Sequence, residues 1–215
     1  MSGASDGAKA SRGAAGAARA ALAEQLAAHV PQDAAEAADL AEIRAFVDAH
    51  QAPFDRAIEH AHLTASAIVV DAAGQHVALG HHRKLDRWLQ PGGHGEPRDS
   101  DALAVACREA HEETGIAGLQ PHAQAPRPLD VDVHVIPARG DVAEHCHLDL
   151  RFLLVAPAGA EIVHRPEEHL ALRWFTWEET ATLPLDPSLQ RTLCKARLMT
   201  PQQSPPEDQQ LPQHF

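Results

Sequence analysis

The fold prediction starts from the stretch Leu89–Ile116, LQPGGHGEPRDSDALAVACREAHEETGI, in which a glycine-rich loop leads into a helix predicted over 101–114. At about 100° per residue, this helix has one apolar stripe that we expect to face the core: Leu103, Ala106, Cys107 and Ala110. An adjacent stripe carries three carboxylates at i, i+3 and i+4 spacing: Glu109, Glu112 and Glu113. The sequence therefore predicts a helix with one buried face and one acidic face.

The acidic stripe needs a physical explanation, because like charges at this spacing destabilise a helix by roughly 0.3 kcal/mol per pair. One explanation is a solvated surface, which is how most runs of charge are accommodated. The other is a hard divalent cation such as Mg²⁺, which binds carboxylate oxygens and keeps waters and substrate phosphates in its remaining positions. The preceding Pro-Gly-Gly sequence favours the cation, since glycines let backbone N–H groups approach a ligand closely.

These residues resemble a known motif. Gly93, followed by REAHEETGI over 108–116, is similar to the Nudix box, the loop-helix-loop motif of Nudix hydrolases. The aromatic residue before Pro-Gly-Gly in RWLQPGGH resembles the usual approach to that box. The resemblance extends over about residues 60–200, and it implies an α/β/α sandwich with a mixed sheet.

The sequence departs from the family pattern at three places. The segment between Gly93 and Arg108 is one residue longer than the pattern, and Ser100 stands where the pattern has its first glutamate. Ala110 also replaces a bulky aliphatic residue. An extra loop residue would account for the first two departures, with Asp99 or Ser100 capping the helix and Asp99 supplying the missing carboxylate.

The resemblance implies chemistry as well as a fold. Glu109 and Glu113 would bind the metal ion, and Glu112 would bind it too or act through a metal-bound water. Arg108 would complete the catalytic group with Glu112, in a structural role. The implied cofactor is Mg²⁺, with Mn²⁺ as the alternative, and the implied reaction is attack of water on a phosphorus atom within a diphosphate.

Two further strands are predicted over 128–138 (PLDVDVHVIPA) and 144–157 (EHCHLDLRFLLVAP), with a turn around Gly140 between them. Both segments alternate polar and apolar residues, so each strand has one polar face and one apolar face. His145 and Cys146 then point to opposite faces, and a zinc site that combines them is not expected.

Symmetric pairing of these strands predicts that Asp132 lies opposite Asp149 and that His134 lies opposite His147. Asp149 and His147 are the candidates for an additional metal or substrate contact on this polar face. A wet sheet surface is the alternative, because one face of an antiparallel sheet is often solvated. Together with the glycine loop, these positions give the predicted substrate-binding residues: Gly92, Gly93, His94, His147 and Asp149.

The remaining segments predict an α/β domain with a helical extension in front of it. Apolar residues recur at helical spacing on both sides of Pro31: Leu22, Leu26, Leu40, Ile43 and Val47. Asp33 and Glu36 fit a capping box at the start of the second helix. The predicted organisation is a disordered N-terminus (1–16), a helical extension (17–58), a Nudix domain (60–200) and a disordered tail (201–215).

Composition limits the partners. The net charge of −12 argues against general binding to nucleic acids, and no apolar run is long enough to span a membrane. The three cysteines are far apart in sequence, which favours a reducing compartment and a cytoplasmic protein. An organelle transit peptide is the alternative interpretation of the N-terminus. We expect a small-molecule nucleotide or pyrophosphate partner and leave open a homodimer.

Two functions fit these observations. The first is a Mg²⁺-dependent hydrolase that cleaves a diphosphate linkage in a nucleoside diphosphate derivative or a related organic pyrophosphate. The second is a catalytically weak module with the same fold, which binds a nucleotide-like ligand and acts as a regulator. The intact second half of the box favours the first, and the departures in its first half motivate the second.

Overall fold

A computed structural model describes residues 16, 18–96, 99, 101–163 and 169–200. Its helices are α1 (18–27), α2 (Ala34–Ala49), α3 (Ala102–Thr114), α4 (Trp177–Thr180) and α5 (Pro187–Met199). Its strands are β1 (Ala61–Val70), β2 (His76–His82), β3 (Arg87–Leu89), β4 (Gly92–His94), β5 (Gln120–Pro121), β6 (Asp130–Ile136), β7 (His145–Val155) and β8 (His169–Thr176). The disorder predicted for 1–15 and 201–215 concerns residues outside the described part, and Gly16 is helical.

The central strand of the sheet is β1, which is buried along its whole length. It pairs in parallel with β7, from Ala61 opposite Cys146 to Val70 opposite Val155, and antiparallel with β2 and β4. The strands β5 and β6 pair antiparallel with β7, while β3 and β8 pair antiparallel with β2. The predicted mixed sheet is therefore confirmed.

Helices cover both faces of this sheet, as the sandwich prediction requires. Apolar residues of α2 and α3 form one core with β1 and β7, and apolar residues of α5 form a second core on the opposite face. Leu22 and Leu26 of α1 belong to the first core. The apolar stripes of the helical extension are thus buried within the chain itself, and the extension does not need a partner to cover them.

The turn between α1 and α2 is held by acidic side chains. Asp33 caps α2 by accepting a hydrogen bond from the Glu36 backbone N–H at 2.8 Å. The reciprocal bond of a capping box is not formed, because the Glu36 carboxylate accepts from the Gln32 N–H at 2.6 Å. Glu36 is fully buried, and its carboxylate also pairs with Lys195 of α5. This pair ties the start of α2 to α5.

Two predicted boundaries are corrected. The predicted glycine loop is strand β4, in which Gly92 lies opposite Ser66 of β1. A Cβ atom at Gly92 would lie 2.2 Å from the Ser66 Cβ, so the close pairing of these strands requires glycine here. The segment HLALRWFTWEE (169–179) predicts one continuous last strand, but β8 ends at Thr176, which caps the short helix α4 with a capping box to Glu179. None of the helices in the described residues is long and apolar enough to cross a membrane.

Candidate active site

Helix α3 carries the box glutamates, and capping residues at both of its ends fix where it begins and ends. The Asp101 side chain accepts from the Ala104 N–H at 2.9 Å, and Gly115 ends the helix with a φ of 70°. The buried side of the helix packs into the first core through small residues: Ala102, Val105, Ala106 and Ala110. Ala110, a departure from the box pattern, is fully buried, so a small side chain suits the close contact with the sheet.

Glu113 lies closest to the glycine strand. Its side chain is only 10% exposed, and its Oε1 accepts a hydrogen bond from the Gly92 N–H at 3.2 Å. Its Oε2 lies 3.3 Å from Nε2 of His169 at the start of β8. The Glu113 carboxylate is thus held between two strands, with its oxygens directed towards polar groups rather than towards the core.

Glu109 lies against the next residue of the same strand. A Cβ atom at Gly93 would lie 2.7 Å from the Glu109 carboxylate carbon. Gly93 therefore leaves the space that the carboxylate occupies. The Glu109 side chain is 17% exposed, whereas that of Glu112 is 40% exposed and lies further towards solvent.

Arg108 connects these carboxylates to the loop. Its Nη1 donates to Glu109 at 3.0 Å and to Glu112 at 3.1 Å. Its Nη2 donates to the His94 carbonyl at 2.7 Å and to Asp99 at 3.0 Å. The hydrogen bonds from Arg108 to Asp99, followed by the charge of Glu109, raise the pKa of the guanidinium further above its usual value. The permanent charge of Arg108 offsets the repulsion between the carboxylates.

The expected role of Asp99 is corrected by this arrangement. The residue that caps α3 is Asp101, and Ser100, the other predicted cap, lies outside the described residues. Both carboxylate oxygens of Asp99 accept from the Arg108 guanidinium, at 3.0 to 3.3 Å. The planar guanidinium matches a carboxylate with two bonds, so Asp99 neutralises Arg108 and is not directed at the glutamates.

The carboxylates of Glu109, Glu112 and Glu113 are suitable ligands for a hard cation, but they do not surround a single position. The carboxylate oxygens of the three box glutamates do not all lie within 4.8 Å of one another. In the described part of the chain, the one group of three potential ligands that meets this distance is His62, His145 and His147. Mg²⁺ binds through one or two carboxylates and fills its other positions with water and phosphate oxygens. Glu109 and Glu113, side by side along β4, fit that requirement.

The register predicted for the second polar face is confirmed, because Asp132 lies opposite Asp149 and His134 lies opposite His147. The wet surface considered for this face is wrong around Asp149, which is only 3% exposed. Helix α5 covers this end of the sheet, and Arg151 donates to its Thr192 at 3.0 Å.

The oxygens of Asp149 are already used within the protein. They accept from Thr64 at 3.0 Å, from Ser66 at 2.6 Å and from Arg151 at 3.2 Å. Three hydrogen bonds inside the sheet leave this carboxylate poorly placed to reach a substrate.

The other end of the same face carries His94 and His147, whose Nε2 atoms lie 3.1 Å apart. Burial lowers the pKa of His94 to about 4, with a further contribution from the charge of Arg56. Burial also lowers the pKa of His147 to about 2, with a further contribution from His94. Both imidazoles are therefore neutral at physiological pH.

The comparison with protein families decides what this arrangement is. The model of the NUDIX domain matches residues 60–196, which is more than half of the chain. The chain belongs to the NUDIX family. The predicted enzyme class, a hydrolase that acts on pyrophosphate bonds, is therefore confirmed. Members of this family generally use divalent metal ions.

Solved structures of other Nudix proteins resemble this one. A MutT Nudix hydrolase from Burkholderia pseudomallei is 22% identical, with a TM-score of 0.47, over 64% of this chain and 98% of that one. An Ap4A hydrolase from C. elegans is 20% identical, with a TM-score of 0.46, over 62% and 93%. NrtR from Shewanella oneidensis, whose Nudix domain was crystallised with ADP ribose, is 16% identical, with a TM-score of 0.45, over 66% and 92%. No curated protein matches the chain.

Two histidines near the Nudix box were not found from the sequence. His169 contacts Glu113, but it lies at the start of a strand far along the chain. His62 lies opposite His147 in the parallel pair of β1 and β7. The sequence indicated His94 and His147 but not their neighbour His62, since the register of a parallel pair is not set by a short turn.

Proposed function

We propose that this Nudix protein is a Mg²⁺-dependent hydrolase of a diphosphate linkage in a nucleoside diphosphate derivative or a related organic pyrophosphate. The observation that carries the proposal is the placement of Glu109 and Glu113 against Gly93 and Gly92 of one strand. Two carboxylates beside two successive glycines leave room for a cation and for phosphate oxygens. The same geometry supports a small-molecule substrate that contains a diphosphate.

In this proposal Glu109 and Glu113 hold the ion, and Mn²⁺ can replace Mg²⁺. The ion would lower the pKa of a bound water and screen the charge on the phosphate oxygens. Glu112, the most exposed of the three, accepts the proton of the attacking water or binds the ion as well. Arg108 positions Glu109 and Glu112 through its two hydrogen bonds.

We assign the other predicted substrate-binding residues by their surroundings. Gly92 and Gly93 give the phosphates access to the backbone of β4. Asp149 has a structural role, because it is buried and bonded to Arg151. His94 and His147 lie on the opposite face of β4 from Glu109, since successive residues of a strand point to opposite faces. The three free cysteines support a reducing, cytoplasmic location.

The regulatory module remains the second candidate, and one observation favours it. Asp99, which could have replaced the missing first glutamate of the box, is bonded to Arg108. The donor set is then one carboxylate poorer than the family pattern. A homodimer is compatible with either candidate and stays an open proposal, without support from the helical extension, which is buried against its own domain.

The two candidates are separated by turnover. The full-length protein is mixed with Mg²⁺ and a panel of nucleotide sugars, dinucleoside polyphosphates, NADH, ADP-ribose and nucleoside triphosphates. We expect release of a phosphate-containing product from at least one of them, and a loss of about 100-fold or more in Glu112→Gln. Glu24→Gln, at an exposed position of α1, is the matched control and should keep full activity. Nucleotide binding without turnover would support the regulatory module instead.

A further inference from the structure

A group of histidines lies on the face of the sheet opposite the Nudix carboxylates. His62 of β1 lies directly opposite His147 of β7, and His145 precedes His147 by two residues on the same face. One ring nitrogen from each of these three residues lies within 4.8 Å of the other two. His94 of β4 adjoins them, with its ring centroid 4.8 Å from that of His147 and 5.0 Å from that of His62.

His62 is buried without a partner. It is 5% exposed, and neither Nδ1 nor Nε2 has a hydrogen-bond partner. The backbone of Ile58 lies near the ring, but it does not form a hydrogen bond with either ring nitrogen. A buried polar group without a partner costs roughly 1–3 kcal/mol, and such groups in native proteins often mark a place for an ion or a water.

The neighbouring histidines have the geometry of metal ligands. The Nε2 atoms of His94 and His147 are 3.1 Å apart, while two nitrogens bound to one tetrahedral zinc ion are about 3.3 Å apart. Nδ1 of His145 lies 3.0 Å from the Ala143 carbonyl. A bond from the second ring nitrogen to a backbone carbonyl is the usual way in which a ligating histidine is oriented, and it leaves Nε2 of His145 free for a metal.

We propose that His62, His145 and His147, with His94 at a fourth position, form a binding site for a borderline divalent transition-metal ion such as Zn²⁺. Imidazole nitrogens favour zinc, copper or nickel, whereas carboxylates favour Mg²⁺. The site is therefore chemically distinct from the carboxylate cluster of α3.

The two sites share strand β4. Gly93 faces the Glu109 carboxylate, while the side chain of His94 lies with the histidines on the other face. The backbone carbonyl of the same His94 accepts a hydrogen bond from Arg108 at 2.7 Å. An ion bound to His94 and His147 would tie β4 to β7, and it would fix the strand that carries the Nudix glycines. The site is thus a structural metal site that supports the active site.

The test is direct metal binding to the full-length protein. The protein is stripped with a chelator, and Zn²⁺ is titrated in competition with a chromophoric chelator, while Co²⁺ is titrated by visible absorbance. We expect one tight equivalent of each metal. His145→Gln and His147→Gln should weaken binding by roughly 10-fold or more. His122 follows β5 and donates its backbone N–H to Leu153 of β7, away from the histidine group. His122→Gln is therefore the matched control and should bind as the unmodified protein does.

One further variant and a folding check separate loss of the zinc site from other causes of weaker binding. Glu113→Gln should bind Zn²⁺ with unchanged affinity, which separates this site from the proposed Mg²⁺ site and from its success or failure. His145 is only half-buried, so His145→Gln is expected to fold, and its far-ultraviolet circular dichroism should match that of the control. Zn²⁺ affinity that is the same in His145→Gln, His147→Gln and His122→Gln would overturn the proposal, as would no tight binding at all.

Discussion

At the scale of single residues, the side chain that is missing at Gly93 matters as much as those that are present. A methyl group there would lie 2.7 Å from the Glu109 carboxylate carbon, which is closer than real Cβ contacts allow. Either the carboxylate or strand β4 would have to move. A shift of 1 Å in a catalytic group can cost about 100-fold in rate.

Gly93→Ala is therefore expected to lower kcat by about 10- to 100-fold, with a smaller effect on the stability of the fold. Steady-state kinetics on the best substrate of the panel measures this. Gly16→Ala is the control, because a Cβ at Gly16 meets no atom within 4 Å. Full activity in Gly93→Ala would show that the position of Glu109 against β4 is irrelevant to catalysis.

Asp149 illustrates the opposite case, a polar residue whose position serves the fold. Its carboxylate faces Arg151, which is almost fully buried and also pairs with Asp132. Removing one charge from this group leaves the Arg151 guanidinium less well neutralised.

We expect Asp149→Asn to lower the free energy of unfolding by about 3 kcal/mol, measured by urea denaturation. Asp141→Asn, in the exposed turn between β6 and β7, should change it by less than about 0.5 kcal/mol. An Asp149→Asn protein with unchanged stability but altered Mg²⁺ dependence would instead make this residue part of the active site.

At the scale of elements, sequence reasoning succeeded where the pattern was local. The alternation in β6 and β7 and the turn at Gly140 determined which residues lie opposite each other, and the pairing of Asp132 with Asp149 is confirmed. The i, i+3 and i+4 spacing placed the α3 carboxylates on one side of the helix. Contacts within one hairpin or one helix are set by neighbouring residues in the chain.

Long-range contacts could not be predicted in the same way. The strand formed by Gly92–His94 has too few side chains to show a pattern, and it exists because β1 offers Thr64–Ser66 as a partner. For the polar face near Asp149, the sequence leaves a metal or substrate contact and a wet surface as alternatives, because nothing in the alternation shows that α5 will cover it. The role of Asp99 likewise depends on Arg108, nine residues away in sequence and bonded only in the folded chain.

At the scale of the whole molecule, buried carboxylates connect different elements of the fold. Burial alone would raise the pKa of Glu36, but hydrogen bonds from His29, Gln32 and Lys195 outweigh it and lower the pKa to about 2. Burial also opposes the ionisation of Asp132, but its bond with His134 and the charge of Arg151 lower its pKa to about 2. Both carboxylates therefore stabilise the folded state only when they are ionised.

This gives a prediction for acid unfolding. A carboxylate with a lowered pKa contributes fully above its unfolded value, which is 4.5 for Glu36 and 3.8 for Asp132, and its contribution is lost as the pH falls towards 2. We expect the free energy of unfolding to fall steeply between pH 4.5 and pH 2, and to fall less in Glu36→Gln, which is already destabilised at pH 7. Parallel pH profiles for the two proteins would show that Glu36 does not contribute.

The central claim for the molecule is that α3 and β4 together hold a divalent cation against a diphosphate. Its most direct test is a crystal structure of the full-length protein with Mn²⁺ and a non-hydrolysable diphosphate analogue, with the ion located by anomalous scattering. The account predicts an ion bonded to carboxylate oxygens of Glu109 and Glu113 and to the analogue. Analogue bound in the crystal, with no ion at these two glutamates, would contradict it.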